Sequence, residues 1–281
     1  MNEKIYEMGV TFGPVKDGSG RIIHHGTDRI GDRIIFSSLI QMLCEQRGYD
    51  AIVDLDVDGR NWFFDKNPFI VRGAKAKSTI PLQIFADKST FHNSLRNLPV
   101  FMSVADKFCS YFGLDCTIRH PRLYTYEDSE RNPRKIIVTT QGRLQGHMMG
   151  ESADRVLSDE IIDQILRNYK NYDIYQIGTT NDKKVNGNNV TDLRGIPIWD
   201  VVKHVSESST YIGVNTGIMW ISAAFPHINK KIVLCEYSQE SLKYYIPSST
   251  NHHHSQWNEI GFQYFNKFDR DIGVTFSYKK I

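Results

Sequence analysis

Along residues 33–47 (RIIFSSLIQMLCEQR) apolar residues recur at Ile35, Phe36, Leu39, Ile40, Leu43 and Cys44, the i, i+1, i+4, i+5, i+8, i+9 spacing that gives a helix one buried face. Gly48 follows as a C-cap, since glycine takes the left-handed conformation at little steric cost. Residues 49–55 (YDAIVDL) then form a short apolar run, the pattern of a strand covered on both faces. A second helix is predicted over 100–112, closed by Gly113, ahead of a short run at 114–118 and a turn at His120 and Pro121. Segment 126–135 (YEDSERNPRK) is charged, contains Pro133 and has no apolar period, as an interdomain linker does. Beyond it the pattern predicts strand 136–139, helix 158–169, strand 172–178, helix 198–207, strand 210–214, helix 217–225 and strand 231–236. Strands alternating with helices imply parallel sheets joined by right-handed crossovers. The expected fold is α/β, two Rossmann-like lobes with parallel sheets and an interlobe cleft.

Composition narrows the function classes. A chain of 281 residues accommodates one large domain or two ordinary ones. Lys and Arg total 34 against 32 Asp and Glu, a formal charge of +2, which excludes a histone-like tail or an acidic solvating segment. An apolar fraction of 40% with 12% aromatics excludes a disordered chain. The start, MNEKIYEMGVTFG, lacks the apolar stretch of a secretory signal, and no window approaches the roughly 20 apolar residues of a membrane-spanning helix. A cytoplasmic protein is expected. Cys44, Cys109, Cys116 and Cys235 form no CxxC pair and sit among apolar neighbours, so reduced core thiols are expected. Nothing in the composition fixes an oligomeric state.

In an open parallel sheet ligands bind outside the carboxyl ends of the strands, where helices begin and free N–H groups point outward. Three strand-to-helix turns stand out. In 211–225 (YIGVNTGIMWISAAF) a β-rich run ends at Val214, Asn215 and Thr216 are N-cap types, Gly217 lets a group approach the backbone, and a small-residue helix follows. Such a turn is an anion cup, although any parallel sheet needs capped turns. In 26–38 (GTDRIGDRIIFSS) Gly31 and Asp32 open the first helix, and spacing alone favours a plain helix cap for Asp32. In 136–142 (IIVTTQG) a strand ends in Thr139, Thr140, Gln141 and Gly142, hydroxyls and an amide followed by Arg143, which can pair bidentately with a phosphate; an ordinary loop has the same look.

In chain order, GDRIIFSSLIQMLCEQRGYDAIVDL at 31–55, the strand ending near Gly142, and YIGVNTGIMWISAAF at 211–225 resemble the heptosyltransferase-like, family 9-like glycosyltransferases of the GT-B class. That family carries a GD-initiated helix in its first lobe and a "vgvDTGpmHlaaA" turn in its second. The resemblance implies an N-terminal acceptor lobe over 1–128 and a C-terminal nucleotide-sugar donor lobe over 129–281, with the tail packing back on the first lobe. It implies an inverting glycosyltransferase that moves a sugar from a nucleoside-diphosphate sugar to a hydroxyl of a saccharide or protein acceptor.

Such transfer needs a base for the acceptor proton and positive potential for the departing diphosphate. Asp32 matches the family's base position, with Asp28 as a substitute. Thr140, Gln141, Arg143, Asn215, Thr216 and Gly217 would hold the donor, without a metal ion or other cofactor. The chain has Asn215 where the family has Asp, and Ile218 and Trp220 where it has Pro and His. An amide donates and accepts but carries no charge, so the donor sugar or its nucleotide is expected to differ from the family norm. The tail containing Ser238, Pro247 and Trp257 is similar to variants that glycosylate protein acceptors.

Other features compete. His252, His253 and His254 are consecutive, and neighbours in an extended chain point in alternating directions, so a surface loop touching acceptor or nucleotide is preferred to a metal site. His24 and His25 precede the Gly26 loop and stay outside the catalytic set. Trp62, Phe63, Phe64, Lys66, Lys75 and Lys77 read either as core aromatics beside a charged loop or as a surface that grips nucleic acid. The second option would make the acceptor a hydroxymethylated base in DNA, against which the near-neutral charge argues. A non-catalytic nucleotide-sugar-binding module is the remaining alternative.

Overall fold

The computed structural model of the chain describes residues 4–11, 14–16, 19, 22–25, 30–56, 61–81, 109, 110, 112–118, 120–126, 129–142, 156–214, 216–228, 230–235 and 262–266. The chain divides into two compact units, Met1–Thr125 and Tyr126–Ile281.

In the first unit β1 (Ile5–Thr11) is followed by the antiparallel pair β2 (Pro14–Lys16) and β3 (Ile22–His25), then α1 (Ile30–Ile35), α2 (Ser37–Arg47), β4 (Ile52–Asp54), a 3₁₀ turn at Trp62–Phe64, β5 (Ile70–Arg72) and β6 (Lys75–Pro81). The main sheet has four parallel strands in the order β5-β4-β1-β6. The helix expected over 33–47 is two helices meeting at Phe36. At that junction Ser37 Oγ donates to the Ile34 carbonyl at 2.7 Å and accepts the Arg122 backbone N–H at 2.7 Å, so a serine hydroxyl competes with the helical ladder. The predicted face is buried all the same: Leu39, Ile40, Leu43 and Cys44 lie inside, with Phe36 and Met42. Gly48 closes α2 at φ 70°, its N–H bonded to the Cys44 carbonyl at 3.0 Å.

Strand β4 is shorter than the predicted run and wholly buried. Residues 114–118 are irregular, and of the expected helix over 100–112 residues 109, 110 and 112 are helical while 100–108 and 111 lie outside the described residues. Trp62, Phe63 and Phe64 are in the core, at most 8% exposed, so they offer no stacking platform to a nucleic acid. Cys44 and Cys109 are buried, and burial pushes the Cys44 thiol up to about 11. Cys116 is half-buried rather than in the core.

The second unit contains β7 (Lys135–Thr139), α3 (Asp159–Asn168), β8 (Asp173–Gln176), β9 (Val190–Asp192), α4 (Ile198–Ser206), β10 (Thr210–Gly213), α5 (Gly217–Ala223), β11 (Lys230–Cys235) and β12 (Phe262–Asn266). Helix α3 follows Ser158 and carries Asp159 and Glu160 in its first turn and Arg167 in its last, charges that complement its macrodipole. Its inward stripe of Ile161, Ile162 and Ile165 joins Ile136, Val138, Ile174, Ile212 and Val214 from the sheet in one apolar cluster. Each such side chain contributes about 1.5–3 kcal/mol on burial.

The six strands are all parallel, in the order β9-β8-β7-β10-β11-β12. Counted from β7 this is the doubly wound order 3-2-1-4-5-6, which reverses between β7 and β10. The α/β alternation predicted for this half is present, with β9 and β12 added. Among the described residues, no helix is long and apolar enough to cross a membrane.

Candidate functional site

Where strand order reverses, the chains leaving the two central strands depart to opposite faces of the sheet and leave a crevice beyond their carboxyl ends. In the second unit those ends are Thr139 on β7 and Gly213 on β10, paired in register. They pack tightly: a Cβ on Gly213 would lie 1.9 Å from Thr139 Oγ1 and 2.8 Å from the Thr139 carbonyl oxygen, so this position demands glycine. Tyr211, fully buried on β10, donates its hydroxyl proton to the Val214 carbonyl at 2.9 Å and lies 2.7 Å from Thr139 Oγ1. With that proton committed, Thr139 is the donor in the second bond. The two hydroxyls therefore fix the point at which β10 becomes the turn into α5.

Beyond that point Thr216 is the N-cap of α5, extended at φ −139°, ψ 174°. A threonine there ordinarily accepts a backbone N–H two or three residues on. Here its side chain makes no capping bond, and Thr216 Oγ1 is buried with no hydrogen-bond partner among the described residues. Leaving such a hydroxyl unsatisfied costs about 1–3 kcal/mol, and the first N–H groups of the helix are not taken up by the threonine either. Gly217, the first helical residue, is half-buried, while Met219, Ile221, Ser222 and Ala223 anchor α5 in the core.

On the β7 side Thr140 is fully buried. Its hydroxyl donates to the Lys183 carbonyl at 2.6 Å and accepts from Gln176 Nε2 at 3.2 Å. Gln176, also fully buried, donates to the same carbonyl at 2.7 Å and accepts the Val185 N–H at 2.8 Å. Gln141 Oε1 accepts the Lys183 N–H at 3.2 Å. These side chains hold residues 183–185 against the end of β7. The Lys183 ammonium is 2.9 Å from Asp159 Oδ1 and 3.0 Å from the Leu157 carbonyl, which ties the same loop to the start of α3.

Of the residues expected to hold a donor, Thr140 and Gln141 thus follow β7, and Thr216 and Gly217 follow β10, beyond the carboxyl ends of two neighbouring strands of one sheet. Arg143 and Asn215 lie outside the described residues. Asp32 is the third residue of α1 in the other unit; its backbone is helical, and its side chain, like Asp28, lies outside the described residues. Tyr211, Gly213 and Gln176 were not singled out from the sequence, and Thr139 only as a hydroxyl at a strand end. The available signal was a polar or glycine position inside an apolar strand run. Among the described residues no group of three or more His, Cys, Asp or Glu side chains is placed to hold a metal ion, and His252, His253 and His254 lie outside them.

No protein-family model matches the sequence, and no curated protein matches it. Solved structures do. The glycosyl transferase family 9 protein from Veillonella parvula DSM 2008 superposes with a TM-score of 0.59 at 10% identity, over 94% of this chain and 86% of that one. The E. coli heptosyltransferase WaaC, determined with ADP, gives 0.55 at 9% identity, over 91% and 99%. The iron-containing dodecameric glycosyltransferase TibC from enterotoxigenic E. coli H10407 gives 0.54 at 13% identity, over 83% of this chain but only 61% of TibC. A second TibC structure holds ADP-D-β-D-heptose. The chain therefore has the α/β fold of the heptosyltransferase-like, family 9 glycosyltransferases, the group that its GD helix and its NTG turn resemble in sequence.

Proposed function

We propose that the chain is an inverting glycosyltransferase of GT-B type that moves a sugar from a nucleoside-diphosphate sugar to a hydroxyl of a saccharide or protein acceptor. The observation that carries this reading is the Thr216 hydroxyl, buried and without a partner among the described residues, at the head of α5 and next to the strand-order reversal. A diphosphate oxygen is an acceptor suited to that hydroxyl and to the N–H groups of the first turn, where the helix presents about half a positive charge. Arg143 would add a full charge and Asn215 a neutral amide, while Thr140 and Gln141, whose side chains bond Lys183, would shape the β7 side of the donor site from behind. The ADP and ADP-heptose bound to WaaC and TibC support a nucleoside-diphosphate donor.

In the proposed reaction the acceptor oxygen attacks the anomeric carbon from the face opposite the diphosphate. Its proton passes to the Asp32 carboxylate, and the electron pair of the breaking C–O bond leaves with the diphosphate. The amide groups and dipole of α5, rather than a metal ion, receive the developing negative charge. The test is Asp32→Asn: donor affinity should persist while turnover is lost, and unchanged turnover would remove Asp32 from the mechanism. A thermal-shift panel of nucleoside diphosphates and their sugars tests the donor half separately, because a ligand at 100 times its Kd stabilises by about 2.7 kcal/mol. A panel in which no diphosphate shifts the transition would overturn the donor assignment.

A further inference from the structure

Lys135 opens β7, at the end of that strand opposite the proposed donor site, and its side chain is only 5% exposed. Its ammonium lies 2.6 Å from Glu207 Oε2, 2.7 Å from His204 Nδ1 and 4.6 Å from the centroid of the Tyr175 ring. The Tyr175 and His204 rings are 5.5 Å apart and inclined by 32°. An ammonium has three protons and no lone pair, so His204 Nδ1 is the acceptor, which requires a neutral imidazole carrying its proton on Nε2. A carboxylate, an imidazole nitrogen and an aromatic face thus compensate one buried cation.

The same place is stitched by backbone and hydroxyl bonds. The Asn132 N–H donates to the Glu207 carbonyl at 2.9 Å, and the Ser209 N–H to the Lys135 carbonyl at 3.0 Å. Ser209 Oγ donates to the Pro133 carbonyl at 2.9 Å, and Ser206 Oγ lies 2.9 Å from Ser129 Oγ. The end of α4 and the start of β10 are in this way fastened to residues 129–135, the first stretch of the second unit.

We infer that Lys135, His204, Glu207 and Tyr175 form an acid-released latch: protonating His204 at Nδ1 removes the acceptor of the Lys135 ammonium, sets two cations against each other, and loosens residues 129–135 from α4 and β10. The groups facing His204 are Lys135 from β7, Tyr175 from β8, Asp200 and Lys203 on its own helix, and Glu207 just beyond it. Burial, followed by the Lys135 charge, holds the His204 imidazole below its ordinary value against the opposing pull of Glu207 and Asp200. A histidine depressed in the folded state contributes stability that is fully present above the unfolded value of about 6.5 and is lost as pH falls through the lower folded value. The latch is independent of the transferase reading, and either can fail alone.

Two measurements on the full chain test it. Imidazole NMR should show His204 with its proton on Nε2 at pH 7.5 and a titration midpoint below that of free histidine. A proton on Nδ1 at pH 7.5, or a midpoint at or above the free value, would overturn the latch. Hydrogen exchange should show the protection factors of the Asn132 and Ser209 amides falling between pH 7.5 and pH 5, as His204 takes up its proton. In His204→Gln, whose side-chain oxygen can accept from Lys135 but cannot titrate, that fall should disappear. An equal fall in both proteins, or none in the unsubstituted chain, would overturn the latch. If the variant does not fold, the NMR titration of the unsubstituted chain decides.

Discussion

Tyr211 and Thr139 meet hydroxyl to hydroxyl, 2.7 Å apart, although 72 positions separate them in sequence. Their bond joins the ends of two neighbouring parallel strands, and the onward bond from Tyr211 to the Val214 carbonyl carries that connection into the turn before α5. A pair this deep acts on stability and, through the turn, on whatever the turn binds.

Tyr211→Phe keeps the ring and removes both bonds, leaving Thr139 Oγ1 and the Val214 carbonyl without the phenol. A loss of about 1–3 kcal/mol in urea-unfolding free energy is expected, with weaker nucleoside-diphosphate binding. Full stability in the variant would mean that other groups already satisfy these atoms.

At Gly213 the difficulty is space. Gly213→Ala pushes a Cβ into Thr139 Oγ1 and against the Thr139 carbonyl, so the strand ends must separate. Overpacking of this kind costs about 1–3 kcal/mol. Thr139→Ala added to Gly213→Ala should recover only part of that loss in the same unfolding assay, because the carbonyl remains; complete recovery would show that only the hydroxyl mattered.

Thr216→Val separates stability from binding. The valine abolishes a hydroxyl that has no partner among the described residues, so the protein should unfold at higher urea, by up to about 1 kcal/mol. Its thermal shift with the best nucleoside diphosphate of the panel should shrink. A variant that binds as tightly as the parent would exclude the Thr216 hydroxyl from the donor site.

The proposed charge acceptor at the diphosphate is a helix N-terminus, so transfer measured after chelator treatment, in metal-free buffer, should match that of untreated protein. Activity that vanishes with chelator and returns only with added divalent or iron ions would place a metal in the reaction.

Much of the second unit was legible before any coordinates. The strands and helices read from 136 to 236 recur with ends shifted by one or two residues, because each rests on a local period and a local terminator. The first unit was harder. Strand β1 contains Glu7, which is exposed and pairs with Lys77 on β6, and β6 is mostly polar, so neither forms an apolar run. The helix over 33–47 was read correctly as a buried face, yet at its interruption Ser37 Oγ accepts the N–H of Arg122, 85 positions away.

The candidate site divides along the same line. The sequence alone determined that 211–225 contains a strand, an N-cap pair and a small-residue helix, since hydrophobic period, capping type and glycine tolerance act within a few residues. Only the tertiary structure decided that β7 lies beside β10, that Thr140 spends its hydroxyl on Lys183, that Thr216 finds no partner for its own among the described residues, and that Lys135 is buried against His204 and Glu207. Those outcomes depend on which distant strands pair and which polar atoms that pairing leaves satisfied. No local pattern encodes them, because hydrogen bonds and desolvation act between atoms near in space however far apart they are along the chain.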